Sequence, residues 1–70
     1  MKGTVCYIDG GEYVTSKAKD IKAKVDELVF GGIRIVWVEV NSRFRSFHPA
    51  TKIKDIRRTV DSLASQGVLL

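Results

Sequence analysis

Seventy residues are the size of one domain, and twelve Lys/Arg against eight Asp/Glu leave a formal net charge of +4. A single cysteine, Cys6, and a single histidine, His48, exclude an internal disulfide and a Cys/His zinc cluster as staples for so small a core. At 44% hydrophobic and 29% charged the composition is that of a folded domain, and no apolar run is long enough to span a membrane. The start, Met1-Lys2-Gly3, leads into a short alternating stretch and not the apolar core of an export signal, so a cytoplasmic location is expected.

Residues 3–8, Gly-Thr-Val-Cys-Tyr-Ile, are rich in β-formers. Asp9-Gly10-Gly11 offers a turn, and residues 12–15 return as the second strand of a hairpin. Ser16 is placed to cap a helix running from Lys17 to about Phe30. Its apolar residues Ala18, Ile21, Val25, Leu28 and Val29 form one stripe at helical spacing, and Gly31-Gly32 ends it.

Residues 33–40, Ile-Arg-Ile-Val-Trp-Val-Glu-Val, predict a central strand, apolar on both faces, with Ile35 and Trp37 on one and Val36, Val38 and Val40 on the other. Residues 43–48 return after a turn. A three-residue loop, Asn41-Ser42-Arg43, would set Glu39 opposite Arg45 and Trp37 opposite Phe47. Pro49 breaks that strand, Thr51 is placed to cap a second helix, and Gly67 would end it ahead of an apolar tail, residues 68–70.

The second helix repeats the first. Residues 51–63, TKIKDIRRTVDSL, echo residues 16–28, SKAKDIKAKVDEL, at a spacing of 35. The stripe Ile53, Ile56, Val60, Leu63 and Ala64 is the first stripe shifted by that interval. The expected fold is α+β. A duplicated ββα unit, ββαββα with halves of about 1–35 and 36–70, would form a four-stranded, mainly antiparallel sheet with two helices on one face.

Catalytic groups are sparse. Cys6 falls inside a strand with no basic neighbour, which describes an inert core thiol. His48 stands alone, and no phosphate-binding glycine loop is present. The sequence therefore points to a non-enzymatic protein with no cofactor and no metal.

Two features suggest anion binding. Each helix opens with two lysines, Lys17 and Lys19, then Lys52 and Lys54, where the helix dipole favours acids. Ser16, Lys17, Lys19 and Thr51 are thus candidate anion sites at the helix N-termini, although Asp20 and Asp55 offset that charge. Arginines and phenylalanines also alternate in Arg43-Phe44-Arg45-Ser46-Phe47, a pattern that can grip phosphates and stack bases. Lys52, Lys54, Arg57 and Arg58 follow directly. The leading expectation is a nucleic-acid-binding protein, DNA or RNA, contacting its ligand through Arg43, Phe44, Arg45, Phe47, Lys52, Lys54, Arg57 and Arg58. The alternative is a protein-interaction module (adaptor, inhibitor or accessory subunit) acting through an apolar sheet face. Ile35 and Trp37 are expected at an interface that a homodimer or a partner protein covers.

Overall fold

The chain forms β1 (Gly3–Tyr7), a 3-10 turn (Ile8–Gly10), β2 (Gly11–Thr15), α1 (Ala18–Phe30), β3 (Ile35–Val40), β4 (Arg43–Ser46) and α2 (Ile53–Val68). The structure, a computed structural model, describes residues 2–68, with side chains as far as residue 65. The four strands make one antiparallel sheet in the order β2-β1-β3-β4. The helices pack against each other on one face of it, α1 over β1 and β2 and α2 over β3. The class is α+β, and the element order is the expected ββαββα.

One core joins the sheet to both helices. Val5, Ile35, Val38 and Val40 from the central strands meet Ile21, Val25, Leu28 and Val29 of α1 and Ile56, Val60 and Leu63 of α2. All five predicted stripe residues of α1 are buried. In α2 the stripe holds at Ile56, Val60, Leu63 and Ala64, but Ile53 in the first turn is 46% exposed. It borders a shallow groove with Val29, Ile33 and Pro49, where no element among the described residues covers it.

The two helices start alike. The Lys17 carbonyl accepts from the N–H groups of Asp20 and Ile21 at 3.1 and 3.4 Å. Thirty-five residues on, the Lys52 carbonyl accepts from Asp55 and Ile56 at 3.0 and 3.1 Å. Ser16 is not the cap: Lys17 holds that position and makes no side-chain capping bond. Thr15 serves instead. Its Oγ1 accepts from the Lys17 N–H and donates to the Asp20 carboxylate, both at 3.2 Å. Thr51 sits one residue ahead of the Lys52 acceptor, and its own N–H closes a turn onto the His48 carbonyl at 2.9 Å.

α1 ends in a Schellman arrangement. The Ile33 N–H donates to the Leu28 carbonyl at 2.8 Å and the Gly32 N–H to that of Val29 at 3.2 Å, with Gly32 at φ +79°. The second helix does not copy this end. α2 continues through Gly67 to Val68, so Gly67 lies within the helix and not beyond its cap. The rest of the expected tail, Leu69 and Leu70, lies outside the described residues.

Both hairpins differ in detail from expectation. Tyr7 pairs with Gly11, so the first loop is Ile8-Asp9-Gly10, and Asp9 takes φ +69°. The Tyr7 ring lies where a Cβ on residue 11 would stand, which is why that strand opens on glycine. In the second hairpin Val40 pairs with Arg43 across a two-residue turn. Asn41 and Ser42 both take positive φ, +51° and +71°, as a type I′ turn requires. Glu39 therefore faces Phe44 and Trp37 faces Ser46, not the arrangement a longer loop would give.

A bulge corrects the faces of β3. Cys6 pairs with Trp37 but Tyr7 pairs with Ile35, leaving Val36 as the extra residue. Alternation is broken once, so Ile35 rejoins Val38 and Val40 on the helix side. Ile35 is fully buried and is a core residue, not an interface residue.

Candidate functional site

Strand alternation assigns each hairpin side chain to one of two faces. Arg43 and Arg45 pair with Val40 and Val38 and share their helix-facing side at the sheet edge. Phe44 faces the other way. Its ring lies 5.3 Å from that of Trp37 at an interplanar angle of 36° on the open side of the sheet. Phe47 lies past the end of β4 and packs against the core. It is only half-buried there, with part of its ring committed to the core. The alternation of Arg and Phe thus separates the charges from the exposed aromatics.

The basic residues of α2 divide as well. Arg57 donates from Nε to Asp26 Oδ1 on α1 at 2.9 Å, and its guanidinium lies 5.3 Å from the Phe30 ring centroid. It ties the helices together, a structural role the sequence left open. Lys54 and Arg58, four residues apart, share the outward face of α2, and both are exposed. Lys52 is exposed at the start of the helix, as are Lys17 and Lys19 at the start of α1. There the Asp20 carboxylate, in the first turn and hydrogen-bonded to Thr15, offsets part of their charge. Lys24 bonds to Glu27 at 2.8 Å and lies 5.2 Å from the Tyr13 ring centroid. The Glu27 hydrogen bond, above all, raises its pKa above the ordinary lysine value.

Charge is segregated between the faces. Ten of the twelve basic residues (Lys17, Lys19, Lys22, Lys24, Arg43, Arg45, Lys52, Lys54, Arg57, Arg58) lie on the helical layer or the helix-facing side of β4. Five acids accompany them there: Asp20, Asp26, Glu27, Asp55 and Asp61. The open sheet face carries Glu12, Glu39 and Lys2, with an acidic excess. A concavity of about 660 Å³ on that face is bordered by those three residues with Thr4, Val14 and Trp37. Cys6 belongs to this face too, half-buried in register with Glu12 and Trp37, and is not enclosed in the core.

His48 is engaged locally. Its Nδ1 accepts from the Ala50 N–H at 3.0 Å and shapes the turn into α2. Among the described residues no three His, Cys, Asp or Glu side chains are grouped to hold a metal ion, and no helix is long and apolar enough to cross a membrane. Set beside protein-family models, curated proteins and solved structures, the chain matches none of them.

Proposed function

We propose that this protein is a small non-enzymatic nucleic-acid-binding module of the cytoplasm, grown by duplication of a ββα unit. The segregation of charge supports this reading: the positive excess is collected on the helical layer and the β4 edge. Arg43, Arg45, Lys52, Lys54 and Arg58 are the phosphate contacts. Arg57, paired with Asp26, and Phe47, packed in part against the core, are left out of that set. With Phe44 on the opposite face, binding rests on backbone phosphates and tolerates any base sequence.

Titration of labelled single- and double-stranded DNA and RNA at several salt concentrations tests this. Five phosphate contacts predict a slope of log K against log [salt] of about −4.5 on duplex and about −3.5 on single strands. Arg43→Glu with Arg45→Glu should remove most of the affinity while the fold persists. Absence of binding at low salt, or affinity that survives the double reversal, would sink the reading.

A second reading is favoured by a separate observation. On the open sheet face Val14 is 54% and Phe44 50% exposed, flanking Trp37. Exposed apolar groups at both edges of an acidic face suit a protein partner better than a phosphate backbone. This surface is distinct from the basic one, and both can operate in one molecule.

A further inference from the structure

Resting on that second reading, we propose that the occupant of the open sheet face is a second copy of this chain, related by a twofold axis parallel to the strands between β1 and β3. The strand registers supply the argument. Val14, Thr4, Glu39 and Phe44 form one row across the four strands, and Glu12, Cys6, Trp37 and Ser46 form the next. The proposed axis exchanges β4 with β2 and β3 with β1.

Phe44 then meets Val14 of the second copy, so the two exposed apolar residues at opposite edges cover each other. Glu39 meets the Thr4 hydroxyl and Glu12 meets the Ser46 hydroxyl, giving each carboxylate a donor. Trp37 meets the Cys6 thiol. No directly opposed positions carry like charges, although the two Glu39 carboxylates flank the axis one strand spacing apart, about 4.8 Å. A twofold axis across the strands does worse. Centred on the first row it sets Glu39 against Glu39 of the copy. Centred between the rows it sets Val14 against Glu12 and Glu39 against Trp37 of the copy.

Size agrees with a modest dimer. Four strands about 4.8 Å apart and roughly 17 Å long, side-chain relief included, bury on the order of 1,000 Å² from both copies together. That is the low end for a specific interface, so association should depend on concentration. The two sheets would stack about 10 Å apart with strands within about 30°, as in other aligned sheet pairs.

Within one chain Phe44 and Val14 are three strand spacings apart, about 14 Å, too far for a disulfide. The test therefore uses two single-thiol variants, Cys6→Ser with Phe44→Cys and Cys6→Ser with Val14→Cys. Treated together with a bismaleimide whose reach of about 10 Å matches the spacing of stacked sheets, they should give a dimer containing one of each, while each alone should stay uncrosslinked. The unmodified protein should shift from monomer to dimer in sedimentation as concentration rises, and emission of its sole tryptophan, Trp37, should move to the blue. Crosslinking of the Phe44→Cys variant with itself would overturn the axis. A monomer at all concentrations would overturn the choice of occupant. A dimer with unshifted Trp37 emission would overturn the sheet-face reading beneath it. Charge reversal at Arg43 and Arg45 should leave the dimer intact, so failure of nucleic-acid binding is scored separately.

Discussion

Arg57 on α2 and Asp26 on α1 are joined Nε to Oδ1 at 2.9 Å, with their side chains 48% and 42% exposed. A pair so open to water contributes little by charge alone. The stacking of the same guanidinium over Phe30 adds to it. Arg57→Ala should lower stability by about 0.5–1 kcal/mol in urea unfolding. It should leave the salt slope of nucleic-acid binding unchanged. A change of slope near one unit would instead place Arg57 among the phosphate contacts.

Ile35 and Trp37 test the bulge. Ile35→Ala removes a fully buried side chain and should cost about 2–4 kcal/mol, a large share of what a domain this size has. Trp37→Ala on the open face of the isolated chain should cost clearly less, measured at dilutions where no dimer forms. Equal losses would mean that the strand keeps simple alternation.

Ser42 holds φ +71° at the second position of a type I′ turn, where glycine is the residue without strain. Ser42→Gly should stabilise the protein by about 0.5–1 kcal/mol, after allowing for the greater freedom of glycine in the unfolded chain. A higher urea midpoint at unchanged m-value is the expected result.

Gly11→Ala should do the reverse. The new methyl would meet the Tyr7 ring, and the ring must move off the strand. A loss of about 1–3 kcal/mol is expected. Adding Tyr7→Ala should recover part of it, so the two changes together cost less than their sum.

Lys24 governs an alkaline effect. Its pKa is raised, chiefly by the hydrogen bond from its ammonium to Glu27. A group whose folded pKa is raised contributes fully below its unfolded value and loses that contribution as pH climbs through the folded one. The stability difference between the unmodified protein and Glu27→Gln should thus be flat through neutral pH. It should shrink only above the ordinary lysine pKa of 10.5. A difference that disappears near neutrality would point to another group.

The helices were the most legible part of the sequence. Their apolar residues recur at 3.6-residue spacing and are fixed by one requirement, burial against a single sheet. Register was less legible. The Asn41-Ser42 turn carries no glycine, so nothing local distinguished two loop residues from three. The bulge at Val36 was hidden because residues 35–38 are all apolar. Val36 suits either face, and only pairing with β1 decides which residue is extra. The same slip moved Ile35 from the expected interface into the core while leaving Trp37 where it was expected. The core contact of Phe47 and the Asp26 pair of Arg57 were not legible for a related reason. Alternation and helical spacing name a face, but not which neighbour waits on it.

β4 has one more consequence, for behaviour in solution. It is a four-residue strand whose outer edge pairs with no other strand among the described residues, and Arg43, Phe44, Arg45 and Ser46 are all exposed. An unpaired edge invites a foreign strand, and short length with charged side chains is the usual protection. The two arginines therefore act as gatekeepers whatever else they bind. Replacing them with alanine would leave Phe44 on a bare edge and favour slow fibrous aggregation, whereas glutamate would keep the edge repellent. A neutral substitution meant to probe ligand binding would thus alter solubility as well, and only charge reversal keeps the two effects apart.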